Sequence, residues 1–140
     1  MPILFFRVGY MESYAGRGEI KYAGTPQNNG VGGEMWNFRE ENGRFYGFVW
    51  SMNFSGINLS RLDSRTWKPN DELDGVDIVF IAKNPPYGQV IVGWYTNATV
   101  FHKQYRVRRG SKKQGDWEQL HYLCEVDSDN AVLLPEEEKT

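Results

Sequence analysis

Apolar positions along this chain gather in short runs, and no helical period survives beyond about two turns. "VDIVFIA" (76–82) is the clearest buried strand, and "KNPPYGQ" (83–89) links it to a second, "VIVGWYTNATVF" (90–101). Upstream, "PILFFRV" (2–8) reads as a first strand, and "RFYGFVWS" (44–51) comes after the turn signal Asn42-Gly43. "GINLSRL" (56–62) reads as a short strand and "SRTWKPNDELDG" as a loop. Downstream, "YRVRRGSKKQGDWEQLHYLCEV" reads as two strands around a basic loop at 109–116, and "AVLLP" (131–135) as a last strand. Strands spaced about ten residues apart with glycine punctuation predict a mainly β protein with short helices: a small curved sheet or a β-barrel. Residues 1–135 form one domain in this reading, and 136–140 an acidic tail or the start of a linker. The stretch 10–33 is a long glycine-rich loop with a short helical turn near Glu12–Ala15; loops of this length tend to be functional or disordered.

The second long strand breaks its own pattern. Simple alternation puts Val90, Val92 and Trp94 on one face, and Ile91, Gly93, Tyr95 and Asn97 on the other. The first set suits a core. The second opens a gap at Gly93 beside an aromatic and an amide, and a glycine within a strand marks close approach by a ligand or another backbone. Trp36, Asn37, Phe38, Tyr46, Trp50, Tyr95 and Asn97 thus form a candidate pocket for a planar heterocycle: rings stack on it and amides read its edge. The competing reading is that these rings simply fill the core.

Composition narrows the options. The 140 residues suffice for one domain with a real core. Aromatic content reaches 15%, which agrees with β structure. Net charge is −2, so any affinity for nucleic acid must be local. Lys103, Arg106, Arg108, Arg109, Lys112 and Lys113 place six cations in eleven residues, with no acid before Asp116. On a hairpin such a run contacts successive phosphates; the plainer reading is a solubilising tip.

The single cysteine, Cys124, excludes an internal disulfide and a cysteine-rich zinc site. His102 and His121 fall in no nucleophile or metal motif. "GRGEIKYAG" lacks the spacing of a phosphate loop, and the carboxylates at 71–77 and 136–138 read as solvated runs. The expectation is a non-enzymatic module without cofactor or metal. "MPILFF" lacks the features of a signal peptide and no apolar run approaches the roughly 20 residues of a membrane span, which points to a cytoplasmic protein.

"LDGVDIVFIAKNPPYGQVIVGWYTNATV" resembles a hairpin of the PUA-like superfamily, EVE-type domains in particular. In order, "YMESYAG", "GGEMWNF", "YGFV", "VIVGWYTNATVF" and "AVLLPEEE" resemble an N-terminal module of bacterial HNH-type endonucleases, over about Gly9 to Glu138. The resemblance implies a PUA-like/EVE-like fold that holds a modified or flipped base in an aromatic pocket. It further implies a partner in modified, double-stranded DNA, with modified cytosine foremost, and catalysis in a fused or associated nuclease domain. No His-Asn-His pattern is present in this chain. A small-molecule or nucleotide sensor using the same pocket is the alternative.

Overall fold

A computed structural model of the chain describes residues 2–11, 14, 20–22, 37–49, 56–68, 71–84, 87–107 and 121–139. The framework is one long antiparallel pair, β5 (Glu72–Lys83) and β6 (Gln89–Phe101). In β5, Leu73, Val76, Ile78, Phe80 and Ala82 are buried, as the sequence pattern requires. The connecting turn closes through Asn84 and Gly88: the Gly88 carbonyl accepts from the Asn84 N–H at 2.7 Å, and Gly88 has a φ of +84°.

Four further strands complete an open, curved sheet. β1 (Ile3–Arg7) lies parallel to β5 at one edge. β4 (Arg44–Gly47) forms the other edge and pairs with β9 (Cys124–Asp127), which joins β6 at Thr99–Val100. β10 (Ala131–Leu133) pairs with β6 at Gly93–Tyr95. The sheet therefore runs β1-β5-β6-β9-β4, with β10 also on β6. β9 and β10 occupy successive stretches of β6, and the sheet forks between them, near Asn97. Two small pairs lie outside it: β2 (Tyr10–Met11) with β3 (Ile20–Tyr22), and β7 (Arg106–Val107) with β8 (His121–Tyr122).

Three register shifts control which side chains enter the core. Val76 pairs with Ala98 but Leu73 with Val100, so Asp74–Gly75 carries an extra residue in β5, at a glycine with a φ of +75°. Ile78 pairs with Tyr95, so β6 gains one at Thr96–Asn97. Phe80 pairs with Gly93 and Ile81 with Ile91, so β6 gains another at Val92. Each bulge flips the inward parity of the residues beyond it. Val90 and Val92 face inward; then Gly93 and Tyr95 do; then Ala98 and Val100. Simple alternation is corrected here: Trp94 is only half-buried, Ile91 is 46% exposed, and Tyr95 is wholly buried.

Gly93 is required because its own chain fills the space above it. A Cβ there would meet the Val132 carbonyl oxygen at 2.5 Å and Phe38 Cζ at 2.8 Å. Asn97 sits at a φ of +56°, a region that asparagine tolerates better than most residues. Its N–H donates to the Asp77 carboxylate at 3.1 Å across the bulge.

The core is strongly aromatic. Phe38 sits edge-on to Phe80 and Tyr95, with centroids 5.4 Å away in each case, and to Phe45 at 5.8 Å. On the opposite side of the sheet, the registers align Phe5, Val79, Trp94 and Val132 in one row across four strands, with Phe5 64% exposed.

Two expected elements differ. Residues 56–62 are not a strand: Ile57 makes one isolated bridge to His102, and Leu59–Arg61 is a 3-10 turn. Asn58 causes the change, since its Oδ1 accepts from the Ser60 N–H at 3.1 Å and caps the turn. The tail also folds back. Glu136–Glu138 form a 3-10 turn and Lys139 is fully buried. Most of 10–33, including the Glu12–Ala15 turn apart from Tyr14, lies outside the described residues.

Candidate nucleic-acid interface

The residues expected to line a base pocket divide by position. Asn37 is fully buried, and its amide clamps the backbone at Phe48: Oδ1 accepts from the Phe48 N–H at 2.7 Å and Nδ2 donates to the Phe48 carbonyl at 3.0 Å. The Tyr95 hydroxyl donates to the Asn37 carbonyl. Phe38 and Tyr95 are core rings, and Asn97 is an exposed bulge residue. These positions correct the picture of an open pocket wall on this face of β6, because Phe38 and β10 occupy the gap at Gly93. Trp36 and Trp50 lie outside the described residues.

Tyr46 is half-buried and packs edge-on against Tyr122 at 4.9 Å. Tyr122 meets Phe101 at 5.6 Å, and the Arg106 guanidinium lies 3.7 Å from the Phe101 centroid. This row joins one expected pocket residue to one expected phosphate contact. Arg106 also pairs with Glu72 at 3.1 Å, so part of its charge is already neutralised. Arg108, Arg109, Lys112 and Lys113 lie outside the described residues. Lys103 is exposed and holds a φ of +49°, an uncommon conformation for lysine.

Lys103 lines a cleft of about 360 Å³ with Trp67, His102 and Gln104. Each wall has a local cause. The Lys103 N–H donates to the Ile57 carbonyl at 2.7 Å and the His102 N–H to the Asp71 carbonyl at 2.9 Å, tying the end of β6 to the 56–71 segment. Gly56 permits this approach, since a Cβ there would meet the Gln104 nitrogen at 2.8 Å. His102 Nδ1 accepts the Leu59 N–H at 3.1 Å, which leaves the ring proton on Nε2 as a donor.

Trp67 is fixed by the turns that precede it. Its indole N–H donates to the Asp63 carbonyl at 2.8 Å, and its ring stacks on His102 with centroids 5.4 Å apart and planes 23° apart. The Arg65 guanidinium sits 4.8 Å from the Trp67 centroid and pairs with Asp63 at 2.8 Å. That hydrogen bond, joined by one from the Arg65 N–H, holds the Asp63 carboxyl below its ordinary range. Among the described lining residues there is no carboxylate. The cleft thus brings together the Trp67–His102 stack, an ammonium and an amide, a set suited to a planar or anionic ligand.

Trp67 escaped the sequence reading because it lies in a polar stretch without strand period. The available signal was a large ring in "DSRTWKPND", where Asp63 and Arg65 precede it at turn spacing. A second cleft, of about 370 Å³, is lined by Leu4, Gly56, Ile57, Asn58, Arg61 and Leu62.

Comparison with family models, curated proteins and solved structures gives no match for the chain. Among the described residues, no group of three His, Cys, Asp or Glu side chains could hold a metal ion, and no helix is long and apolar enough to cross a membrane.

Proposed function

We propose that this chain is a nucleic-acid-binding module of PUA-like/EVE-like type that reads a modified base in double-stranded DNA, modified cytosine foremost, without catalysing a reaction itself. The observation that carries this reading is positional. The cleft of Trp67, His102, Lys103 and Gln104 opens at the end of β6, where the six-cation segment begins. An extruded base would pack beside the Trp67–His102 stack and meet the Lys103 and Gln104 donors, while the other cations of 103–113 contact flanking phosphates. Extrusion costs a few kcal/mol; stacking returns about 1–3 kcal/mol, and phosphate contacts add a salt-dependent term.

The test is a binding panel of duplexes carrying unmodified, methylated, hydroxymethylated or glucosylated cytosine, or methylated adenine, each measured at two salt concentrations. The reading expects one modified duplex to bind best. Its log Kd should depend on log salt with a slope of about 0.9 per phosphate contacted. Trp67→Leu should weaken binding by roughly 5- to 150-fold with little change in that slope, consistent with stacking of about 1–3 kcal/mol. Arg108→Gln with Arg109→Gln should weaken all duplexes alike and flatten the slope. Failure of every duplex to bind at low salt would overturn the proposal. Salt-insensitive binding of a free nucleotide would instead favour a small-molecule sensor, for which a cleft of this size also suffices.

A further inference from the structure

Strand β1 forms one edge of the sheet, and among the described residues no strand other than β5 pairs with it. The bonds at its two ends set its backbone polarity. The Pro2 carbonyl accepts from the Asp77 N–H at 3.0 Å, and the Val8 N–H donates to the Ile81 carbonyl at 2.8 Å. Backbone groups of alternate residues point to opposite sides of a strand. Leu4 and Phe6 therefore bond toward β5, and the N–H and C=O groups of Ile3, Phe5 and Arg7 face outward. The same three side chains lie on the outer face of the sheet: Ile3 is 52% exposed, Phe5 is 64% exposed, and Arg7 is exposed as well. An open edge with apolar side chains is a ready template for another strand.

We propose that β1 pairs antiparallel with β1 of a second copy of this chain, about a two-fold axis at Phe5. That register sets Phe5 opposite Phe5 of the second copy, and Ile3 opposite its Arg7. Each outward N–H of one copy then meets an outward carbonyl of the other. The apolar row of Phe5, Val79, Trp94 and Val132 ends at this edge, and pairing continues it into the identical row of the second copy. Charge fits the same register. Asp77 lies beside Ile3 in β5, so Arg7 of one copy shares a row with Ile3 and Asp77 of the other. The arginine and the aspartate stand two strand spacings apart, about 10 Å, which their side chains span together. Neither forms an ion pair among the described residues: the Arg7 guanidinium donates to the neutral Gln89 side-chain oxygen, and the Asp77 carboxylate accepts the Asn97 N–H at 3.1 Å. The axis also places the two Arg7 residues at opposite ends of the paired strands, so like charges stay apart. Bonds, apolar row and charges thus match the edge to itself, which selects a second copy over an unrelated strand. The strand is five residues long, far short of the about 20–30 residues per side of a standard interface, so the dimer is weak and forms as concentration rises.

Sedimentation between about 10 µM and about 1 mM should show the mass climbing from monomer toward dimer. Over the same range, amide hydrogen exchange by NMR should slow at Ile3, Phe5 and Arg7, while Leu4 and Phe6 keep the same protection throughout. Phe5→Lys should hold the protein monomeric. Val132→Lys lies in the same row but away from the edge, and should leave dimerisation within about twofold of wild type; it separates edge pairing from stacking of two outer faces. Should Phe5→Lys fail to fold, Arg7→Asp replaces it, and should weaken the dimer roughly fivefold by setting two carboxylates in one row. A wild-type chain that stays monomeric at about 1 mM, exchange independent of concentration, or loss of the dimer in Val132→Lys would overturn the proposal.

Discussion

Gly93→Ala tests the claim that β6 is shaped by its own chain at this point rather than by an open space for a ligand. The added Cβ would lie 2.5 Å from the Val132 carbonyl oxygen, 2.8 Å from Phe38 Cζ and 3.2 Å from Leu133 Cα. Phe38 could tilt, but the carbonyl is backbone. It would have to retreat by about half an ångström to reach the closest approach a real Cβ makes. β10 is held here by its pairing with Gly93–Tyr95 and by the Leu134 N–H on the Val92 carbonyl. Overpacking a filled site costs typically about 1–3 kcal/mol. Stretching one or two ladder hydrogen bonds adds about 1 kcal/mol. The expected loss is therefore about 2–4 kcal/mol, or roughly 10 °C in melting temperature for a chain of this size. Chemical denaturation monitored by tryptophan fluorescence measures it directly. Adding Phe38→Leu to Gly93→Ala should recover only part of the loss, because the carbonyl contact persists. A Gly93→Ala protein within about 0.5 kcal/mol of wild type, the range of an inert surface change, would refute this account and leave room at Gly93 for something other than β10.

Two further outcomes rest on electrostatics. The Asp63 carboxyl should titrate below the ordinary aspartate value, chiefly through the Arg65 side-chain hydrogen bond, and Arg65→Gln should return it toward that value by NMR. Because the folded-state pKa is the lower one, this pair's contribution is present above the unfolded carboxylate pKa and is lost as pH falls through the folded one. Burial pushes the Cys124 thiol far above its ordinary value, so native protein should resist iodoacetamide at mildly alkaline pH and react once denatured; labelling of the native state at the denatured rate would contradict that burial.

The strands of the long hairpin were legible because "VDIVFIA" and "VIVG" are short, β-branched runs ended by proline and glycine. Asn42-Gly43 likewise announces its turn, with φ values of +54° and +77°. The phase of the side chains was not legible. It depends on three bulges, and a bulge arises from the pairing of two strands rather than from either alone. Gly75, Gly93 and Asn97 each hinted at one, yet a glycine that admits a ligand and a glycine that admits another strand read identically in one dimension. The candidate site was hidden for a related reason. Trp67 and Lys103 lie 36 positions apart and meet through backbone bonds that tie Ile57 and Asp71 to the end of β6 and through His102, which stacks on Trp67 and accepts from the Leu59 N–H. Lys139 looked like tail because nothing local shows that it is buried beside Tyr10 and Tyr14, near the start of the chain.

The fork at Asn97 has a dynamic consequence. β9 with β4 forms one wing and β10 with the tail the other, and each attaches separately to the β5–β6 spine. Two such wings can open as independent cooperative units, with the spine keeping its amides protected while either one exchanges. The Trp67 cleft adjoins the end of β6 next to the first wing, and the segment from Leu134 to Lys139 continues the second. Opening of the second wing would thus leave the cleft's walls standing.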